Sequence, residues 1–240
     1  TSSVFKVNSV NRWNFFEMLS ALMELDAIIF LGGLFQDRTS FKSFLYYYFQ
    51  LFVAILTNKQ VVFYAAGIGP FERKITKDLF NSALKSVSLV TVRDQVSANE
   101  TIFRNNLVVT CDPVWSIEPD YVFQNEILKI NWKLPIVGVS LRNDKNLKKH
   151  HLVSLSEKLS RIISTTQDWQ IVIIPCMPED LYVTDELENQ ISKKVSHPGR
   201  ILSIRNFNNF SIPQQAGILA SCDVMVGMRY HSLLVPIANG

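Results

Sequence analysis

Residues 27–33 of the chain read AIIFLGG, five apolar residues followed by two glycines. An apolar run of this length without polar alternation is typical of a strand that is buried on both faces. The glycines mark the point where the strand ends. We therefore expect a strand of a parallel sheet whose two faces are covered.

Short apolar runs of this kind alternate with segments of helical period along the whole chain. The predicted strands are 27–31, 61–66, 89–92, 107–110, 135–141, 170–174, 200–204 and 223–226, and the predicted helices are 13–25, 40–57, 75–86, 95–103, 151–165, 179–194 and 212–221. Ser211 is placed to cap the last of these helices. Strands that alternate with helices, with about thirty residues or less from one strand to the next, indicate right-handed crossovers in parallel sheets.

The segment 116–134 interrupts the alternation and has no clean period. We predict an N-terminal Rossmann-like half at 1–118, a linker at 119–134 and a C-terminal Rossmann-like half at 135–240. Two such halves suggest a ligand site in a cleft between them. Ligands of open α/β sheets bind beyond the carboxyl ends of the strands, so the residues after each apolar run are the candidates for chemistry.

Composition excludes several classes of protein. Of 240 residues, 48% are hydrophobic, which is enough for a sizeable core, and a formal net charge of +3 lacks the density of a nucleic-acid binder. Cys111, Cys176 and Cys222 are too widely spaced for a metal site, and we predict structural thiols. The uncharged stretch 43–58 is shorter than the ~20 residues that span a bilayer. We interpret it as a buried helix, with a helix on a membrane surface as the alternative.

The strongest candidate site follows the last predicted strand. Arg229, His231 and Ser232 come after Gly227 at a predicted helix start, where unpaired N–H groups and the helix dipole favour anions. Arg adds a bidentate fork for carboxylate or phosphate, and His donates to an anion or moves a proton. The alternative is that Arg229 pairs with a local carboxylate and His231 is structural.

Two weaker candidates follow other strands. Arg142 ends the first strand of the second half, and its alternative is a surface charge. Gln36 and Asp37 follow the two glycines of the first strand and would suit the hydroxyls of a sugar; the alternative for Asp37 is a helix cap. Arg93 and Asp94 favour a local ion pair or a cap.

Six short motifs stand in order along the chain. They are LGGLFQD (31–37), GIGP (67–70), TVRD (91–94), CDP (111–113), VSLR (139–142) and GMRYHS (227–232). Their order and spacing resemble the polysaccharide pyruvyl transferase family over nearly the whole chain. The likeness is greatest to the branch associated with pyruvylation of secondary cell-wall polymers.

The resemblance implies an α/β fold of two Rossmann-like domains with parallel sheets, similar to the GT-B glycosyltransferases. It implies transfer of a pyruvyl group from phosphoenolpyruvate, the donor substrate, to two hydroxyls of a sugar as a cyclic ketal, with no cofactor and no metal. The M-R-x-H motif, linked to the donor, falls on Arg229 and His231, and a second-domain Arg falls on Arg142. His231 would then be the general acid and Asp37 the base, while Ser232 and Gln36 would contact substrates.

The same resemblance implies a glycolipid or polysaccharide acceptor and no nucleic acid. It places the enzyme in the cytoplasm, including peripheral contact with the inner face of the membrane. The glycine-rich turn with which family members begin and the strand that follows their M-R-x-H helix are not found in the sequence, so we expect an internal fragment, truncated at both ends. Two alternatives stay open: a GT-B glycosyltransferase that uses a nucleotide sugar, and an inactive saccharide-binding fragment.

Overall fold

The computed structural model describes residues 7–102, 105–125, 127, 129–166 and 168–239. The chain divides into two compact units, Thr1–Pro113 and Val114–Gly240. Each unit is built around one four-stranded sheet in which every pair of neighbouring strands is parallel. The predicted α/β fold with two parallel sheets is therefore confirmed.

The first unit alternates helices and strands in the predicted order. Its strands are β1 (Ala27–Leu31), β2 (Gln60–Ala66), β3 (Leu89–Val92) and β4 (Leu107–Val109), and its helices are α1 (Phe15–Glu24), α2 (Phe41–Leu56), α3 (Lys74–Leu84) and α4 (Gln95–Glu100). The strands lie side by side in the order β1-β2-β3-β4. The predicted helix 95–103 ends at a residue that lies outside the described ranges.

One face of this sheet carries the core. Phe30, Phe63 and Val90 stand in register on neighbouring strands and are buried, together with Phe44 of α2 and Phe80 of α3. The strand order explains this asymmetry, because right-handed crossovers that advance in one direction place all their helices on one face.

The prediction that β1 is buried on both faces is wrong for the described residues. Ile29 is 60% exposed and Leu31 is 55% exposed, and both point away from the core face. An apolar run shows that a strand has no polar face. It does not show which elements cover that strand, since this depends on where later crossovers go.

The second unit has a different strand order. Its strands are β5 (Ile136–Ser140), β6 (Gln170–Ile173), β7 (Ile201–Ser203) and β8 (Val224–Gly227), and its helices are α5 (Lys149–Thr165), α6 (Leu181–Ser192), α7 (Ile212–Ala220) and α8 (Tyr230–Asn239). The sheet order is β7-β6-β5-β8, so the chain moves outward from β5 and then returns to its other side. Helices therefore cover both faces, and every residue of β5 and β6 is buried.

The segment predicted as a linker packs into the second unit. Phe123 and Ile130 are buried in its core, and the ring of Trp132 meets Phe123 edge-on at 4.8 Å between centroids. The backbone N–H of Asp120 donates to the carbonyl of Pro213 in α7 at 3.0 Å. The described part of 119–134 is thus attached to α7 by packing and a backbone hydrogen bond.

That attachment depends on the absence of a side chain at Gly217. A Cβ built there would lie 2.3 Å from the carbonyl oxygen of Asp120 and 2.9 Å from the ring of Phe123. Glycine costs helical stability in the middle of α7, so its presence is explained by this close approach of two backbones.

We expect Gly217→Ala to lower the free energy of unfolding by about 2 kcal/mol, because the clash involves backbone and forces α7 away from the segment before it. Chemical denaturation of the variant measures this. Gly199→Ala is the matched control, since no atom lies within 4 Å of a Cβ at that position. Equal stability of the two variants would contradict the role given to Gly217.

Asp37 ties the loop after β1 to the start of α3. Its carboxylate accepts hydrogen bonds from the backbone N–H groups of Glu72 and Arg73, at 2.6 and 3.1 Å, and from the Thr76 hydroxyl at 2.6 Å. It is buried, and its Oδ2 lies 3.7 Å from Nη1 of Arg73. Asp37 is therefore a helix cap, as in the alternative for this residue, but it caps a helix start 35 residues away and not one within its own tight turn.

These contacts set the protonation of Asp37. Burial by itself raises the pKa of the carboxyl, but the hydrogen bonds from Thr76, Glu72 and Arg73 and the charge of Arg73 outweigh it, so the pKa lies below its ordinary value. The ionised carboxylate therefore stabilises the folded unit above the unfolded pKa. The contribution is lost as the pH falls through the lower, folded pKa.

We expect Asp37→Ala to lower the free energy of unfolding by about 2–3 kcal/mol at neutral pH, because it removes the acceptor of the N–H groups of Glu72 and Arg73, which cap the start of α3. The difference from the wild type should shrink in acid, where Asp37 is protonated. Asp78→Ala, an exposed aspartate of the same helix, is the control. A catalytic base without a capping role would instead leave stability unchanged.

Candidate functional site

The second sheet reverses its strand order between β5 and β8, which are direct neighbours. Ligands of open α/β sheets bind beyond the carboxyl ends of the strands at such a reversal. Arg142 follows β5 and Arg229 follows β8, so the topology brings the two predicted arginines to the ends of adjacent strands. The N–H of Met228 donates to the carbonyl of Ser140 at 2.8 Å and extends the pairing up to Arg229.

Asp180 fixes the guanidinium of Arg229. Nε and Nη2 of Arg229 donate to the two carboxylate oxygens of Asp180 at 2.9 and 2.8 Å, a bidentate pair. Asp180 follows β6 and is fully buried, and it also accepts the backbone N–H of Asn143 at 2.9 Å. One carboxylate thereby joins the segments that follow β5, β6 and β8.

Glu179 adds a second and weaker contact. Nη2 of Arg229 donates to its Oε1 at 3.1 Å, and the Glu179 side chain is 54% exposed. The pair with a local carboxylate, weighed as the alternative for Arg229, is therefore present. It does not use the whole guanidinium, because Nη1 of Arg229 makes no hydrogen bond to the part of the chain that the structure describes.

The turn around Arg229 is held by Ser232. The Ser232 hydroxyl donates to the carbonyl of Arg229 at 2.7 Å, and the serine is buried. A Cβ at Gly227 would lie 2.5 Å from this hydroxyl, so glycine is required for the close approach. Ser232 was predicted to contact substrate, and its hydroxyl proton is committed to this turn.

His231 lies in the first turn of α8, which begins at Tyr230 near the predicted helix start. Its side chain is exposed, and its ring meets that of Tyr230 at 5.3 Å between centroids. Arg142 is also exposed, with its Nε 3.8 Å from Asp144. Both side chains are thus accessible to a ligand at this edge of the sheet.

Three residues of this site were not predicted as functional: Glu179, Asp180 and Cys176. The Sγ of Cys176 lies 3.1 Å from the Ser140 hydroxyl. Burial raises the pKa of the Cys176 thiol, and the charge of Asp180 raises it further. The hydrogen bond with Ser140 and the charge of Arg229 lower this pKa but do not cancel the rise. The sequence held one usable signal, since Glu179 and Asp180 are the first carboxylates after the β6 apolar run.

The candidate site is built from the second unit alone, whereas Gln36 and Asp37 belong to the first. The Gln36 side chain binds the side chain of Thr39, and its Oε1 accepts the Thr39 N–H at 3.0 Å. Gly32 and Gly33 leave open space at this turn. The contacts of Gln36 are local, and its role with a substrate stays a prediction.

Other candidates have structural explanations. Nε of Arg93 lies 3.4 Å from Oδ2 of Asp94, and Asp94 caps α4 by accepting the N–H of Ser97 at 2.6 Å, as expected. Cys111 is exposed, unlike the partly buried Cys176 and Cys222. Over the described ranges, no three His, Cys, Asp or Glu side chains are grouped to hold a metal ion, and no helix is both long and apolar enough to cross a bilayer.

Solved structures share this fold. A putative UDP-N-acetylglucosamine 2-epimerase from Listeria monocytogenes superimposes with a TM-score of 0.61 at 9% identity over 95% of this chain and 62% of its own. The S. aureus MnaA–UDP co-structure has a TM-score of 0.62 and 11% identity, and the match covers 95% of this chain and 63% of that structure. UDP-GlcNAc 2-epimerase from Methanocaldococcus jannaschii has a TM-score of 0.61 and 14% identity, with coverage of 97% of this chain and 66% of its own. The chain spans less than two thirds of each of these structures. The likeness confirms a GT-B-like fold.

Sequence comparison identifies the family. No curated protein matches the chain significantly. A family model described as polysaccharide pyruvyl transferase matches residues 2–240. This range includes β5, β8, the turn at Arg229 and all six motifs from which the resemblance was predicted. The chain therefore belongs to the polysaccharide pyruvyl transferase family, a family of enzymes.

Proposed function

We propose that this protein transfers a pyruvyl group from phosphoenolpyruvate to a sugar of a cell-surface or cell-wall polysaccharide, or of its glycolipid precursor, as a cyclic ketal. The observation that carries the proposal is the fixed guanidinium of Arg229 at the strand reversal, with N–H groups left over. Pyruvyl transfer to a polysaccharide is the activity of the family, and the donor and the ketal are the parts that we add.

The donor suits the residues at this edge. Phosphoenolpyruvate carries a carboxylate and a phosphate, and guanidinium groups bind both through paired N–H donors. Arg229 and Arg142 stand at the ends of neighbouring strands, and α8 begins directly after Arg229. The positive end of the helix dipole adds to the attraction for an anion. Ser232 holds the turn in this scheme and does not contact the donor.

The reaction needs one proton donor and charge stabilisation. Two sugar hydroxyl oxygens form bonds to carbon 2 of phosphoenolpyruvate, the methylene carbon gains a proton, and the bond between carbon 2 and the phosphate oxygen breaks. Of the two hydroxyl protons, one balances the proton that the methylene carbon gains and the other is taken up by the departing phosphate, so the products are the ketal and inorganic phosphate. We assign the proton delivered to the methylene carbon to His231, which is exposed, and stabilisation of the leaving phosphate to the arginines.

Gln36 keeps its predicted role with a hydroxyl of the acceptor sugar in this proposal. Gln36 lies next to the open turn at Gly32 and Gly33, where a sugar hydroxyl is able to approach the backbone. Asp37 is engaged as a helix cap, so its predicted role as a base would require it to give up those contacts. The reaction uses no cofactor beyond the donor. We place it in the cytoplasm, at the inner face of the membrane when the acceptor is a glycolipid.

The test follows phosphate release from phosphoenolpyruvate with a panel of aminosugar-containing glycolipid and polysaccharide acceptors. We expect His231→Ala to slow release about 10²–10⁴-fold and Arg229→Ala about 10²–10³-fold. Arg205→Ala is the matched control, because Arg205 also pairs with two carboxylates, Asp185 and Glu188. Its rate should equal that of the wild type.

Two outcomes would contradict the proposal. One is consumption of a nucleotide sugar without phosphate release from phosphoenolpyruvate, which would indicate a glycosyltransferase. The other is polymer binding without phosphate release from any acceptor, together with phosphoenolpyruvate binding that is unchanged in Arg229→Ala and His231→Ala. That result would indicate a saccharide-binding protein.

A further inference from the structure

The guanidinium of Arg229 presents two edges for bidentate binding, and they are used differently. The Nε/Nη2 edge is filled by Asp180 at 2.9 and 2.8 Å. The Nη1/Nη2 edge is half filled, because the second N–H of Nη2 goes to Glu179 at 3.1 Å while Nη1 binds nothing in the described residues. A carboxylate or phosphate therefore fits this second edge once Glu179 moves away.

The two adjacent carboxylates differ in how easily they leave. Asp180 is fully buried and accepts hydrogen bonds from the N–H of Asn143 and from Arg229, so its removal would leave the donors of both residues without this acceptor. Glu179 is more than half exposed and makes one contact to Arg229. Exposed ion pairs of this kind are weak, and water replaces the lost contact.

We propose that Asp180 is the positioning residue of the donor site and that Glu179 occupies the place of the donor's anion on Arg229 until the donor displaces it. Asp180 sets the plane of the guanidinium, and Glu179 marks where the incoming carboxylate or phosphate binds. The proposal deepens the proposed function and rests on it, since it concerns the same Arg229 and the same donor.

An effect of charge alone would not distinguish the roles of Asp180 and Glu179. Replacing either carboxylate by its amide removes one negative charge beside Arg229, so a purely electrostatic effect would strengthen anion binding in both variants. If Asp180 positions Arg229, the two variants should instead change the affinity for the anion in opposite directions. Glu179→Gln frees the Nη1/Nη2 edge and removes a competitor, whereas Asp180→Asn points an amide N–H at Arg229 and releases the guanidinium from its fixed plane.

The experiment is calorimetric titration of the full protein with phosphoenolpyruvate and, separately, with inorganic phosphate. We expect Glu179→Gln to lower the Kd for phosphoenolpyruvate about two- to fivefold, the range of a lost exposed competitor. Asp180→Asn should raise it at least about tenfold. Asp185→Asn, which removes a half-exposed carboxylate from Arg205, is the control and should leave the Kd unchanged.

A second comparison keeps the test valid if Asp180→Asn lowers stability. In an Arg229→Lys background the Nη1/Nη2 edge no longer exists, so Glu179→Gln should give no gain in affinity. The same gain in both backgrounds would show a general charge effect and overturn the proposal. Tighter or unchanged binding in Asp180→Asn would also overturn it.

The failure of this inference is distinguishable from that of the proposed function. If Arg229→Ala loses phosphoenolpyruvate binding while Glu179→Gln and Asp180→Asn do not diverge, the donor site stands and only the division between the two carboxylates is wrong. If Arg229→Ala binds phosphoenolpyruvate as the wild type does, both the proposed function and this inference are wrong.

Discussion

The ion pair between Asp180 and Arg229 is the interaction on which the candidate site depends. A carboxylate without solvent contact is stable only with charge and hydrogen bonds around it, and Asp180 obtains both from Arg229 and from the backbone of Asn143. Because these partners follow different strands, the pair fixes three strand ends at once. Because the Arg229 side chain is already fixed by this pair, it loses little rotational freedom when a ligand binds. The entropy cost of binding is therefore smaller, which favours affinity.

The strand order of the second sheet makes this pair possible. Arg229 and Asp180 are separated by 49 residues in sequence, yet the return of the chain to β8 brings the end of that strand beside β5 and near the end of β6. The small residues at the turn follow from the same constraint. Gly227 leaves room for the Ser232 hydroxyl, which in turn holds the carbonyl of Arg229. The tight turn and the fixed side chain of Arg229 are therefore parts of the same structural arrangement.

Much of the fold could be predicted because strand periodicity and helix caps are local. The predicted bounds of β1 and β3 are those observed, and Ser211 caps α7 as expected by accepting the N–H of Gln214 at 3.4 Å. The exposed face of β1 and the packing of Phe123 were not predictable in this way, because both depend on contacts between distant segments. Arg229 was predicted as a candidate from its position after a strand. Asp180 was missed because its partner is far away in sequence.

Asp37 and Asp180 show why position after a strand does not by itself separate a cap from a binding site. Both are buried aspartates that follow an apolar strand, and each accepts several hydrogen bonds from residues that are distant in sequence. The difference lies in the donors. The hydrogen-bond donors of Asp37 are two backbone N–H groups and the Thr76 hydroxyl at one helix start, and the guanidinium of Arg73 lies farther away, with its Nη1 3.7 Å from Oδ2 of Asp37. The main partner of Asp180 is the guanidinium of Arg229, which keeps N–H groups that do not bind Asp180. The carboxylate of Asp180 therefore stabilises the fold and also orients a cation that a ligand is able to contact.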